Sequence, residues 1–144
     1  MILPDEQSTE NVGKRIAANL RAGDVVTLSG PLGVGKTALA RGILAALGHD
    51  GEVPSPSFAI VQPYEDLDPS VWHVDLYRIE DTSELEELGL DAAAEGVLLV
   101  EWPENAGRTA WPQALGLALD FAEDGARRLT AEVPPSWQDR WPPQ

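Results

Sequence analysis

Hydrophobic residues change period along this chain, and each change marks an element. Val12, Ile16 and Leu20 recur every four positions, the spacing of one helical face, with Ser8 or Thr9 as the cap before them and Gly23 as the stop. Val25-Val26-Thr27-Leu28 is a short apolar run of the kind a buried strand shows, and Ala38 to Leu47 returns to helix formers that end at Gly48. Ser57 to Tyr64 and Val71 to Tyr77 read as two strands of an antiparallel hairpin joined by the polar segment Glu65 to Ser70. Asp81-Thr82-Ser83 caps a short acidic helix carrying Leu85 and Leu88 and closed by Gly89. Val97-Leu98-Leu99-Val100 is a continuous apolar run, expected of a strand covered on both faces, and Glu101 stands at its C-terminal end. Leu115, Leu117, Leu119 and Phe121 then alternate, Asp124-Gly125 turns the chain, and Leu129, Ala131 and Val133 alternate again, which predicts a terminal hairpin extending the sheet.

Between the first strand and the second helix lies Gly30-Pro31-Leu32-Gly33-Val34-Gly35-Lys36-Thr37, a complete G-x-x-x-x-G-K-T phosphate loop in the strand, loop, helix context the motif requires. Its glycines let the backbone curl so that successive N–H groups point at an anion, and the helix start adds partial positive charge. Lys36 is then placed to reach the β and γ phosphates, and the Thr37 hydroxyl to ligate a Mg²⁺ that bridges them.

The order of elements predicts an α/β fold: a single P-loop NTPase-like domain over residues 1–133, with a mixed sheet of parallel core strands, antiparallel hairpins and flanking helices. A Pro/Trp-rich tail follows over 134–144, its two tryptophans either docked or exposed. At 144 residues there is length for one core and none for a second catalytic domain. The net charge of −14 and the presence of only two lysines, Lys14 and Lys36, argue against unaided binding of nucleic acid or anionic lipid. The absence of cysteine excludes disulfides and thiolate metal sites. No run approaches about 18 apolar residues, and MILPDEQSTE has no basic segment followed by an apolar one, so the chain reads as cytoplasmic, without a membrane span or signal peptide.

A phosphate loop that hydrolyses nucleotide needs a carboxylate for the metal and a group that orients water. Two acids qualify: Glu101, at the end of a Walker B-like strand, and Asp75 within Trp72-His73-Val74-Asp75-Leu76-Tyr77-Arg78. Each alone is equally readable as a solvated strand-end acid; their joint occurrence after a full phosphate loop favours function.

Four motifs in order then carry a resemblance to a known family. They are Gly30 to Thr37; Ser55-Pro56-Ser57-Phe58; His73 to Arg78 with Glu84-Leu85-Glu86-Glu87-Leu88-Gly89; and Val100-Glu101-Trp102-Pro103. From about Ser8 to Val133 the chain resembles the TsaE (YjeE) family, small bacterial ATPases required for making N6-threonylcarbamoyladenosine (t6A) in tRNA. It departs from that family's pattern at Ser57, where threonine is usual, and at Ala38, where a second hydroxyl residue is common. The resemblance implies ATP and Mg²⁺ as cofactors and TsaB-like and TsaD-like proteins as partners. It implies that Gly30, Gly33, Val34, Gly35, Lys36, Thr37, Ala38 and Ser57 contact nucleotide and that Thr37 and Glu101 hold the metal. Asp75, with Lys36, then carries catalysis by positioning or deprotonating water. Three residues stay open at this level. His73 has no assigned role, Arg78 is either a transition-state cation or a partner of Glu80 or Asp81, and Trp102 either covers the nucleotide or packs the core.

Other classes fit less well. A GTP switch protein lacks its Asn-Lys-x-Asp segment here, and a small-molecule P-loop kinase would need an arginine-bearing lid from a chain with only ten basic residues. A nucleotide-gated docking module with negligible turnover is the third alternative.

Overall fold

The computed structural model describes residues 1–51, 53, 61–79, 83, 95–106 and 110–143. Seven strands form one sheet: β1 (Ile2–Leu3), β2 (Val25–Ser29), β3 (Val61–Tyr64), β4 (Val71–Asp75), β5 (Val97–Glu101), β6 (Leu115–Phe121) and β7 (Arg127–Glu132), in the order β1-β7-β6-β2-β5-β4-β3. The middle four, β6, β2, β5 and β4, run parallel, and the flanking pairs are antiparallel, so the expected mixed α/β sheet is present. Two helices, α1 (Glu6–Ala17) and α2 (Lys36–Ala46), pack on one face. Alternation along the strands explains the layering. Val26, Leu28, Leu99 and Leu117 face Val12, Ile16, Leu39 and Ile43 of the helices, whereas Leu98, Val100 and Val74 join Trp72, Trp102 and Trp111 on the other side. All five residues of β5 are buried, as its unbroken apolar run predicts.

The first helix starts earlier than its apolar spacing suggests. Asp5, not Ser8 or Thr9, is the cap: its Oδ1 accepts from the Ser8 backbone N at 2.8 Å and from Ser8 Oγ at 2.7 Å. A carboxylate satisfies the free N–H groups and also complements the helix dipole, so it wins over a hydroxyl one turn later. The helix ends at Ala17, and Leu20 enters the core from tighter turns such as Asn19 N to Ile16 O at 3.0 Å. The two helices touch backbone to backbone. A Cβ on Gly13 would strike the Leu39 carbonyl and one on Gly42 the Glu10 carbonyl, so glycine at both positions permits the approach.

The phosphate-loop helix begins at Lys36, two residues before its predicted start. Strand β4 stops at Asp75 rather than Tyr77, because Asp75 Oδ1 accepts the Tyr77 N–H at 2.8 Å and turns the chain out of the ladder. The described part of the preceding hairpin strand is Val61–Tyr64; Ser55-Pro56-Ser57-Phe58 and the acidic helix around Leu85 and Leu88 lie outside the described residues. The β6–β7 hairpin turns at Asp124 and Gly125 as expected, and β7 goes on to pair with the unforeseen edge strand β1.

The tail docks. Trp137 is 1% exposed and belongs to the main core, with Trp141 packed against it. Arg140 stacks on Trp137, its Cζ 3.9 Å from a ring centroid. Its guanidinium meets Asp24, immediately before β2, at 2.7 and 3.1 Å, and also donates to the Asn19 carbonyl at 2.8 Å. Among the described residues, no helix is long and apolar enough to cross a membrane.

Candidate functional site

The phosphate loop leaves the C-terminal end of β2 and re-enters α2, whose N-cap is Gly35 at φ 115°, ψ 17°. Among the described residues no side chain caps this helix, so the N–H groups of its first turn are available to an anion. A left-handed N-cap of this kind is a conformation glycine adopts without a Cβ penalty. Gly30, at φ 142°, is pressed so close to β6 that a Cβ would enter the Leu119 carbonyl oxygen. The loop is tied down by Arg127 of β7, whose Nε donates to the Val34 carbonyl at 2.8 Å and whose Nη1 donates to the Gly125 carbonyl at 2.9 Å.

Lys36 is 5% exposed. Its Nζ donates to the Gly30 carbonyl at 2.6 Å and lies 3.6 Å from the Trp102 ring centroid. Burial draws the ammonium below the usual lysine range, opposed by the carboxylates of Glu101, Glu104 and Asp75.

Strand register brings the acids together. Asp75 of β4 is the partner of Glu101 of β5, and Glu101 neighbours Leu28 of β2, just ahead of the phosphate loop. Both acids are buried, at 6% and 3% exposure. Burial pushes the Asp75 carboxyl above the ordinary range and Glu101 adds to the rise, against the restraining hydrogen bond from Tyr77 N. His73, two residues before Asp75 on the same face of β4, places Nε2 2.6 Å from Glu101 Oε2. After β4 the chain is held by Asn105, whose Nδ2 donates to the Leu76 carbonyl at 2.7 Å.

One cleft of about 670 Å³ is bounded by the phosphate loop, Lys36 and Thr37 on one side and by Asp75, Glu101 and Trp102 on the other. Arg41, Arg78 and Arg127 reach its rim. The volume suits a small-molecule ligand. A polyphosphate entering here would face two carboxylates, a repulsion that an intervening cation relieves, and the oxygen donors Thr37, Asp75 and Glu101 suit a small hard cation. Among the described residues no three His, Cys, Asp or Glu side chains form a complete metal cage.

Of the residues singled out from sequence, Gly33, Val34, Gly35, Lys36, Thr37, Ala38, Asp75 and Glu101 all line this cleft. Gly30 backs the loop against β6, and Ser57 lies outside the described residues. Trp102 serves both readings: it packs with the second apolar cluster and also lines the cleft. The tether from Arg127 and the His73–Glu101 pair were not foreseen, since both join residues remote in sequence and no local pattern announces either.

Fold and site together define a phosphate-loop protein of the P-loop NTPase-like class. Residues 3–129 match the family model described as threonylcarbamoyl adenosine biosynthesis protein TsaE. The chain belongs to the TsaE family, whose role is in t6A biosynthesis on tRNA. It is 40% identical over 137 residues to the tRNA threonylcarbamoyladenosine biosynthesis protein TsaE of Mycobacterium tuberculosis, covering 88% of this chain and 82% of that one. To the protein of the same name from Streptomyces coelicolor it is 43% identical over 115 residues, covering 77% and 78%. The crystal structure of Bacillus subtilis YdiB superposes with a TM-score of 0.81 at 30% identity, covering 96% of this chain and 87% of that one.

Proposed function

We propose that this chain binds ATP with Mg²⁺ in the cleft and hydrolyses it slowly, acting in t6A biosynthesis on a complex of TsaB-like and TsaD-like proteins. The observation that carries the reading is the meeting of Lys36 and Thr37 with Asp75 and Glu101 in one cleft, brought there by the β4–β5–β2 register. The first turn of α2 and Lys36 bind the β and γ phosphates, and Thr37 and Glu101 hold the metal. Mg²⁺ supplies charge neutralisation for the transferring phosphoryl group. Asp75, kept partly desolvated and raised in proton affinity, orients the attacking water and takes its proton as the water oxygen bonds to the γ phosphorus. The bond from that phosphorus to the bridging oxygen breaks, and ADP leaves.

Turnover of the isolated chain is slow because a further cation placed on the transferring phosphoryl group, worth about 10³ to 10⁵ in rate, is left to a partner. A partner speeds the reaction by completing that charge or by ordering the cleft. The test is phosphate release by the purified chain in multiple turnover, without an acceptor, with and without TsaB-like and TsaD-like proteins from the same source. Acceptor-free release that rises with the partners supports the reading. Release only with a small-molecule acceptor would make the protein a kinase, and none under any condition would leave a docking module.

A further inference from the structure

Among the described residues the His73–Glu101 pair is the most enclosed ion pair, with side chains 0% and 4% exposed. His73 is 0% exposed and does not line the cavity, whereas Glu101 does. The imidazole therefore stands behind the carboxylate, away from any ligand. At 2.6 Å the contact is short for a nitrogen and a carboxylate oxygen. Facing a carboxylate, Nε2 carries the hydrogen and donates it to Oε2. His73 Nδ1 is buried and has no hydrogen-bond partner among the described residues. A histidine kept only to satisfy a core would be expected to have both nitrogens paired. Among the described residues this ring makes one bond, and that bond is to the acid at the end of β5.

We propose that His73 is a positioning residue for Glu101. Its Nε2–H occupies Oε2 and locks the carboxylate rotamer, so that Glu101 presents its remaining lone pairs to the cleft in one orientation. The inference rests on the ATP and Mg²⁺ reading above and deepens it: His73 sets how well Glu101 serves a divalent cation without touching cation or nucleotide. Strand geometry makes this possible. His73 and Asp75 project from the same face of β4, and β5 lies alongside in parallel register with His73 opposite Leu99 and Asp75 opposite Glu101. The Glu101 side chain thus has to lean back along β4 by only one two-residue repeat to meet the ring. Groups behind a metal ligand commonly change metal affinity by about 10- to 100-fold when removed.

The test uses the full chain, Mg²⁺ and a non-hydrolysable ATP analogue, with affinity read by calorimetry as Mg²⁺ is titrated. His73→Leu keeps the bulk and loses the donor; His73→Gln keeps an N–H near the Nε2 position. The leucine variant is expected to need about 10- to 100-fold more Mg²⁺ for half-maximal tightening, with affinity in the absence of Mg²⁺ unchanged, and the glutamine variant to recover most of the loss. A leucine variant with the wild-type Mg²⁺ midpoint, or glutamine and leucine variants that behave alike, overturns the proposal. If the wild type itself tightens nothing on adding Mg²⁺, the reading beneath it fails as well; if wild type and Glu101→Gln differ while His73→Leu does not, only this inference fails.

Should the leucine variant not fold, nitrogen-15 NMR of the wild type decides, since the chain has just two histidines. The His73 Nε2–H is expected as a strongly downfield proton that moves on adding Mg²⁺ with the analogue and not with the analogue alone. A signal indifferent to Mg²⁺, or a ring protonated only at Nδ1, overturns it.

Discussion

Lys36 and Trp102 stand face to face, the ammonium 3.6 Å from the centroid of the indole. Trp102 holds this position at φ 60°, a left-handed backbone conformation uncommon for a bulky residue, with its N–H donating to the Leu28 carbonyl at 3.2 Å. Strain of this kind persists where the surroundings impose it, here where β5 ends against the start of the phosphate loop. The contact joins the cation of one motif to the aromatic ring of another.

Lys36→Ala is expected to weaken nucleotide binding about 10- to 100-fold, the value of charge-assisted hydrogen bonds to phosphate, with thermal stability close to wild type. The fold tolerates it because alanine suits the first turn of a helix and a desolvated ammonium is removed. Nucleotide that draws Lys36 off the ring should also change indole emission in the wild type and not in Trp102→Phe. Calorimetry and fluorescence check both; wild-type affinity in Lys36→Ala would refute the site.

Glu101→Gln and Asp75→Asn are expected to separate. An amide oxygen is the poorer ligand for a hard cation, so Glu101→Gln should shift the Mg²⁺ concentration for half-maximal hydrolysis upward. Asp75→Asn should leave nucleotide affinity near wild type and lower kcat by about 10² to 10⁴, the usual worth of a general base. Steady-state kinetics over a Mg²⁺ series distinguishes them, and identical Mg²⁺ dependence would mean the two roles are wrongly divided.

Asp75 also predicts a pH effect on stability. Its carboxyl is raised in the folded state, chiefly by burial, so the folded chain binds that proton more tightly than the unfolded one. The ionisation penalty is therefore fully present above the folded pKa, at neutral pH, and is relieved as pH falls through it toward the ordinary carboxylate value. Asp75→Asn, whose Oδ1 can still accept from Tyr77, is expected to raise Tm at neutral pH without nucleotide or Mg²⁺. That advantage should shrink in acid. A variant less stable at neutral pH, by an amount independent of pH, would contradict this.

Arg140 and Asp24 are 6% and 11% exposed at their side chains. Arg140→Ala removes the cation from a largely enclosed carboxylate that keeps only the Arg21 N–H at 2.7 Å, and is expected to cost about 3 kcal/mol in denaturant unfolding. Trp137→Ala, which empties a core position, should cost a similar ~3 to 5 kcal/mol. Replacing Arg140 and Asp24 together by apolar residues should cost far less than either single change. Nucleotide affinity below the melting range should be unchanged, because this latch lies at the end of β2 opposite the phosphate loop.

Much of the site was legible because its chemistry is written locally. The phosphate loop is a run of eight residues whose glycines, lysine and threonine act through their own backbone and the helix they start. The covered strand before Glu101 showed itself as an unbroken apolar run, and the terminal hairpin as alternation around Asp124-Gly125. Element ends were less legible. Asp5 took the cap expected of Ser8 or Thr9, and Asp75 ended β4 early, since short side-chain-to-backbone bonds compete with helix and ladder on nearly equal terms.

By itself, then, the amino-acid sequence determined the kinds of element, the phosphate loop and the identity of the acids able to serve it. Periodicity and motif are properties of neighbours along the chain. Only the tertiary structure decided which strands lie side by side, and with that the pairing of Asp75 with Glu101, the seat of His73 behind Glu101, the tether from Arg127 to Val34 and the latch from Arg140 to Asp24. Those contacts join residues tens of positions apart or more, and their partners are chosen by burial and sheet register rather than by local conformational preference.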